Sequence, residues 1–394
     1  MRINLHVSAK FSDMRINYFL IVLLAGFQTI TFAQDISNKS YPYEPSSNAS
    51  GDVPKGEVLK FSFNHSKLYP GIHRSYWVYI PKEYTPEKPA CLFVCMDGVM
   101  FNAPTLFDYL INNKEMPVTI GVFIESGYII KNDTTVIRYN RTNEFDNLND
   151  HFVRFIEEEI LPDVIKQKTT NGRQINISPY ANDHAVAGLS SGAICAFTAA
   201  WQRPDLFSRV FSAIGTYVGM RGGDQYPVLI RKTEPKAIRV YLQDNNNDTW
   251  NPLFGNWFKA NIDMEAALNF AGYEVTNMWQ EGGHDGRPAN HIFADAMRWL
   301  WKGWPEPVKS DWSANDMLKT ILDSNEHWRP VDQKIVQENT SSASDNTASL
   351  PGGNQYILQN GMISYKAKGK PRTGADMQHS FASGVSVLLN TSYN

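Results

Sequence analysis

The sequence predicts an α/β fold: a mostly parallel central sheet with helices on both faces and antiparallel strands at its N-terminal edge. Three observations carry that expectation. Ala90 to Met96 is a continuous apolar run of strand length, bounded by Pro89 and Asp97-Gly98, which is the pattern of a strand buried on both faces. From Thr119 to Lys302, strand-like runs alternate with segments of helical period. Ahead of these lie Val58 to Asn64, which alternates apolar and polar residues, and Arg74 to Ile80, rich in β-branched and aromatic residues. Both read as antiparallel strands.

The chain has 394 residues, 42% of them hydrophobic, which suits one large α/β domain plus additional segments. Its formal net charge of −3 gives no electrostatic case for nucleic acid as a partner. Ten Trp are compatible with a sugar-facing cleft, although Trp is more often core.

In chain order, residues 1–33 read as a secretory signal peptide. Met14-Arg15-Ile16-Asn17 is a short basic start, and Tyr18 to Phe27 is apolar but too short for a comfortable membrane span. Thr31-Phe32-Ala33 sets cleavage after Ala33, and the signal is complete from Met14, which points to Met14 as the true start. No Cys follows the cleavage site, so a lipoprotein anchor is not indicated, and the mature protein is expected to be secreted or periplasmic. Residues 34–56, rich in Ser, Asn, Pro and Gly, read as a flexible lead-in.

Tyr69-Pro70-Gly71 is a turn between the two opening strands. Thr119 to Glu125 is a second buried strand, and a helix runs from Asn149 to about Lys166 with Asp150 as its candidate cap. Ala185 to Ala187, Arg209 to Ala213, Ile238 to Leu242 and Glu274 to Gln280 are strand-like. Between the last two, Phe258 to Ala271 has helical spacing (Ile262, Ala266, Leu268, Ala271) and is stopped by Gly272. Pro288 to Lys302 is a helix with an aromatic face of Phe293, Trp299 and Trp301. Two antiparallel strands before a parallel sheet suit the α/β-hydrolase fold. The domain is expected over residues 57–308, with Trp304-Pro305-Glu306-Pro307 as its boundary. A linker follows over 309–353, and residues 354–394 are an unassigned tail or small β module.

Cys91, Cys95 and Cys195 are an odd count, although secretion permits disulfides. Cys91 and Cys95 sit four residues apart on one strand, too far to bond at about 3.3 Å per residue. All three read as small buried apolar residues.

The chemistry centres on Gly188-Leu189-Ser190-Ser191-Gly192, a G-x-S-x-G between a short apolar run and the good helix formers Ala193 to Ala200. Strand, sharp turn, helix is the context of a nucleophile elbow, and it would lift the Ser190 hydroxyl above the sheet. The N–H of Ser191 would then stand at a helix N-terminus, suited to stabilise an oxyanion. The loop Asp97 to Phe101 occupies the place of a second oxyanion donor, with Gly98 turning the N–H of Val99 toward the site; a plain β-turn is the alternative.

A serine nucleophile needs a base, and the base an orienting acid, in the chain order Ser, Asp or Glu, His. After Ser190 only His284, His291, His327 and His379 remain. His284 follows a strand in Gly282-Gly283-His284-Asp285 and is the candidate base, whereas His291 lies inside a helix. For the acid, Asp244 and Asp248 both follow the strand Ile238 to Leu242, and position alone does not separate them. Arg141, Glu144 and Trp250 are candidate substrate-binding residues; Arg141 and Glu144, with Asp146, could equally form a solvated loop network. The spacings give no metal site and no cofactor motif: there is no H-E-x-x-H, C-x-x-C, G-x-G-x-x-G or Walker A sequence.

With these residues in view, the chain resembles the esterase family that includes enterochelin esterase-like enzymes and the feruloyl and acetyl xylan esterases of carbohydrate esterase family one. The likeness is carried by Tyr76 to Pro81, Asp97-Gly98, Asn140 to Asp146, Gly188 to Gly192, Asn247-Asp248 and Gly282 to Asp285, and covers Leu59 to Trp304. It implies Ser190 as nucleophile, His284 as base and Asp248, closing an Asn-Asp pair, as the acid. It also implies an oxyanion hole from Ser191 and the Gly98–Val99 turn. The Asp97-Gly98 loop departs from the His-Gly-Gly type sequence of many relatives. The resemblance implies a secreted serine esterase removing acyl groups from a polysaccharide or oligosaccharide without a cofactor. The alternatives are a siderophore esterase, which a basic cleft wall would favour, and a non-catalytic carbohydrate-binding protein on a hydrolase scaffold.

Overall fold

A computed structural model describes residues 53–132 and 135–321, together with three short strands, Thr347–Ser349, Gln355–Gln359 and Met362–Lys366, that pair antiparallel. The signal peptide, most of the lead-in, residues 322–346 of the linker and most of the tail, with His6, His327 and His379, lie outside the described residues.

The central sheet has eight strands: β1 (Glu57–Phe63), β2 (Arg74–Ile80), β3 (Cys91–Met96), β4 (Thr119–Ile124), β5 (His184–Leu189), β6 (Arg209–Ala213), β7 (Arg239–Asn245) and β8 (Glu274–Gln280). Their spatial order is β1-β2-β4-β3-β5-β6-β7-β8. β2 pairs antiparallel with β1 and β4, and every other neighbouring pair is parallel. The mostly parallel sheet with an antiparallel edge is therefore as the sequence predicts.

Five helices matter here: α1 (Ala103–Asn112), α2 (Arg141–Phe145), α3 (Ser191–Gln202), α4 (Trp257–Phe270) and α5 (Arg287–Trp301). The apolar run of β3 divides by the strand's period of two. Leu92, Val94 and Met96 join one core with Ile194 and Phe197 of α3. Cys91, Phe93 and Cys95 join the other with Phe107 of α1 and Phe293 of α5. Both faces are thus covered, which is why β3 reads as unbroken apolar sequence rather than alternating. Each such side chain taken fully out of water contributes about 1.5–3 kcal/mol. All three cysteines are free and buried.

α4 differs from its expected face. Ile262 is 40% exposed, and the buried side is Asn261, Met264, Ala267 and Leu268, followed by Ala271. A polar residue leads that face because Asn261 satisfies buried acceptors, a role that apolar spacing does not register. Beyond α5 the chain stays attached: Asp311 N–H donates to Gly272 O at 2.7 Å and Ala314 N–H to Phe270 O at 2.8 Å. Among the described residues no helix is long and apolar enough to cross a membrane.

Candidate active site

β5 ends at Leu189, and the chain turns back at once into α3. Ser190, at the turn, has φ 59° and ψ −118°, a strained conformation for a residue with a side chain. Its backbone is gripped from β6, since Ser190 N–H donates to Ala213 O at 2.9 Å. The flanking glycines are sterically required. A Cβ on Gly188 would stand 2.1 Å from Gly192 O, and one on Gly192 would stand 3.0 Å from both Asp97 Oδ2 and Met96 Cβ. Only bare backbone lets strand and helix approach this closely.

Ser190 Oγ lies 2.8 Å from His284 Nε2, and His284 Nδ1 lies 2.7 Å from Asp248 Oδ1. The His284 side chain is 31% exposed and that of Asp248 fully buried. Asp248 Oδ1 also accepts the N–H of Thr249. The three side chains come from the loops after β5, β7 and β8, all at the C-terminal ends of parallel strands.

The loops after β7 and β8 are laced together by the asparagines between Asp244 and Asp248. Asn245 Nδ2 donates to Gly283 O (2.8 Å) and Asp285 O (2.9 Å), bracketing His284. Asn246 N–H donates to Gln280 O and Asn247 N–H to Gly282 O, at 2.8 and 2.9 Å. A run of asparagines after a strand also suits an ordinary turn; here its amides pair with another loop. Two further residues were missed. Thr216 Oγ1 lies 3.2 Å from Ser190 Oγ and accepts Trp257 Nε1–H at 3.2 Å. The Trp257 ring stands edge-on to His284, 6.0 Å between centroids.

On the opposite side, Asp97 and Gly98 both take positive φ, 66° and 78°. The N–H of Gly98 donates to Ile124 O at 3.1 Å, so Gly98 shapes the loop and its own amide is not free to face an oxyanion. Val99 is the next amide along that turn. Ser191, the first residue of α3, has no intrahelical acceptor for its N–H by the geometry of a helix start. Arg141 clamps the loop: Nε and Nη2 each bond one Asp97 oxygen at 2.7 Å, and Nη2 also donates to Leu189 O at 3.2 Å.

The expected substrate-binding residues separate. Trp250, on a tight hairpin just after Asp248, is 67% exposed, and Leu253 at its tip is 78% exposed. Arg141 is partly exposed but engaged with Asp97. Glu144 does not line the cleft. Its side chain is fully buried against Arg74, likewise fully buried, at 2.8 Å, and it also accepts Gly127 N–H and Asn140 Nδ2–H. A buried arginine draws the carboxylate inward, so the acid of this loop is structural. Asp146 is buried too, beside Ser191 and Thr142, and burial pushes its carboxyl above the ordinary range. Among the described residues no cluster of His, Cys, Asp and Glu is arranged to hold a metal ion.

Strand order, helices on both faces and a serine elbow at the end of β5 define an α/β-hydrolase fold. The family model described as "Putative esterase" matches residues 70–349, more than half of the chain, so the protein belongs to this esterase family and is a carboxylic ester hydrolase. Solved structures similar to it include a ferulic acid esterase, at 16% identity and TM-score 0.48, covering 63% of this chain and 98% of that one. An enterobactin esterase from Shigella flexneri is similar at 22% identity and TM-score 0.48, over 66% of this chain and 63% of that one. An IroE-like serine hydrolase from Shewanella oneidensis is similar at 19% identity and TM-score 0.46, over 62% and 80%. Comparison with the sequences of curated proteins gives no match.

Proposed function

We propose that this esterase is a secreted serine esterase that removes acyl groups from a polysaccharide or oligosaccharide, through Ser190, His284 and Asp248. What supports the reading is the unbroken run of contacts from Ser190 Oγ through His284 to Asp248 Oδ1, at 2.8 and 2.7 Å. In this mechanism Ser190 Oγ attacks the ester carbonyl carbon as His284 Nε2 takes its proton. Asp248, bound at Nδ1, holds the ring in the tautomer that leaves Nε2 free to accept. The carbonyl oxygen becomes an oxyanion facing the N–H groups of Ser191 and Val99, with the positive end of α3 behind it. His284 then gives the proton to the sugar oxygen as its bond to the acyl carbon breaks, releasing the sugar hydroxyl. Water, deprotonated by the same nitrogen, attacks the acyl carbon; the bond to Ser190 Oγ breaks as His284 returns the proton to Oγ, and the carboxylic acid leaves.

For the substrate, Trp250 and Leu253 offer an exposed apolar surface beside the acid loop, suited to a sugar face or an aromatic acyl group. Arg141 is bidentately neutralised by Asp97 and adds no uncommitted charge for an anionic siderophore. Hydrolysis of a short-chain aryl ester should vanish in Ser190→Ala with folding intact; equal activity in that variant would refute the mechanism. A panel of acetylated and feruloylated oligosaccharides, scored for released acid, tests the substrate class, and turnover of a catecholate triester instead would move it to siderophores. Export is tested by N-terminal sequencing of the secreted protein, which should begin at Gln34.

A further inference from the structure

The catalytic reading makes Asp248 the group that orients His284, and a second carboxyl stands directly behind that pair. Asp244, next to last in β7, is 0% exposed. Its Oδ1 accepts Asn245 N–H at 2.6 Å and its Oδ2 accepts Asn261 Nδ2–H at 2.7 Å. It lies within hydrogen-bonding reach of the Asp248 side chain. Asp248 uses Oδ1 for His284 and Thr249, while its Oδ2 is buried and receives no hydrogen bond from a nitrogen or hydroxyl of the described residues. Two carboxyl groups in such contact, out of water, cannot both carry charge cheaply, and a proton shared between them removes both problems.

We propose, resting on that catalytic reading, that Asp244 is a neutral carboxylic acid donating its proton to Asp248 Oδ2, which fixes Asp248 as the one charged acceptor aimed at His284. Asp244 is then a positioning residue, acting through Asp248 and not on substrate. Burial first, and the neighbouring Asp248 second, hold its carboxyl well above the usual carboxylate range, against the opposing pull of Asn245 and Asn261. The groups at its carboxyl are Asn245, Asn261 from α4 and Asp248, with His284 on the far side of Asp248; Trp279 is its register partner on β8. Of these side chains only Asp248 and His284 carry ionisable groups. Glu265, one turn on from Asn261 in α4, is engaged by Asn277 Nδ2.

The test is the pH dependence of kcat/KM for an aryl ester, using the full chain as wild type, Asp244→Asn, Asp244→Ala and Ser190→Ala. Asp244→Ala, which strips Asp248 Oδ2 of its donor, should lower kcat/KM about tenfold. Asp244→Asn keeps an N–H donor for Asp248 Oδ2 without a charge, but leaves one acceptor oxygen for the two donors of Asn245 and Asn261. Whatever part of that loss it recovers, it should show an acid limb that overlays the wild type. If Asp244 were ionised, removing its charge would ease deprotonation of His284 and move the acid limb of Asp244→Asn down by about one pH unit, which would overturn the proposal. Wild-type rates and profile in Asp244→Ala would also overturn it. If Asp244→Ala does not fold, the Asp244→Asn profile alone decides. Activity surviving in Ser190→Ala would instead refute the catalytic reading, an outcome the Asp244 variants cannot mimic.

Discussion

On one side of the site Ser190 is held by backbone and close packing; on the other, His284 and Asp248 are held by side-chain hydrogen bonds. The elbow works through absent atoms: no Cβ at Gly188 or Gly192, and a positive φ at Ser190 pinned from β6. The acid–base side works through added polar atoms, from Asn245 across to Gly283 and Asp285 and from Asn261 onto Asp244. Steric constraints of the first kind tolerate almost no change, because overlap rises steeply with distance. Hydrogen-bonded constraints of the second kind degrade in steps, one donor at a time. The two sides should therefore fail differently.

The sharpest contrast is Gly188→Ala. The added methyl overlaps the Gly192 carbonyl, which is backbone and cannot rotate away, so strand and helix must part. Loss of about 10³-fold or more in aryl-ester hydrolysis is expected, about 4 kcal/mol in the barrier, with a lowered melting temperature. Near-wild-type activity would mean that the elbow is soft. Glu144→Ala comes next and should leave the site's chemistry alone. It abandons the buried Arg74 guanidinium and should cost about 3–5 kcal/mol of stability by denaturant unfolding, with activity per folded molecule retained.

Asn245→Ala should lower kcat/KM about 10- to 100-fold with a modest change in stability, because two carbonyls flanking His284 lose their donor. A Gly188-sized collapse there would erase the distinction between the two sides. The last effect, small per pH unit but cumulative, is a pH dependence of stability. Asp244 holds its proton in the folded state above the pH where the unfolded chain releases it. Wild type therefore loses stability relative to Asp244→Asn as pH rises from about 4, with a limiting slope of about 1.4 kcal/mol per pH unit until the folded carboxyl titrates. Parallel curves for the two proteins over that range would contradict a neutral Asp244.

The same contrast explains what could be read in advance. The elbow was legible because glycine and serine at four of five consecutive positions report a local steric need. β3 was legible because burial on both faces leaves no polar residue to break the run. His284 was legible from its place after the last strand. Glu144 was misplaced because its partner, Arg74, is 70 residues away and nothing local marks a carboxylate as buried. Leu268 of α4 and Ala271 just after it are buried as their spacing suggests, but Asn261 was missed for the same kind of reason: it takes its buried position from Asp244 and Gly215 O, both on other elements.

By itself the sequence determined the α/β class, the strand succession and the turn that lifts Ser190, because periodicity and turn sterics act between residues a few positions apart. Only the tertiary structure decided which loop amide beside Asp97 is already bonded, which groups lace the two loops around His284, and which charges face inward. Those outcomes depend on distances between groups from separate strands, and such distances exist only once the sheet has brought its strand ends together.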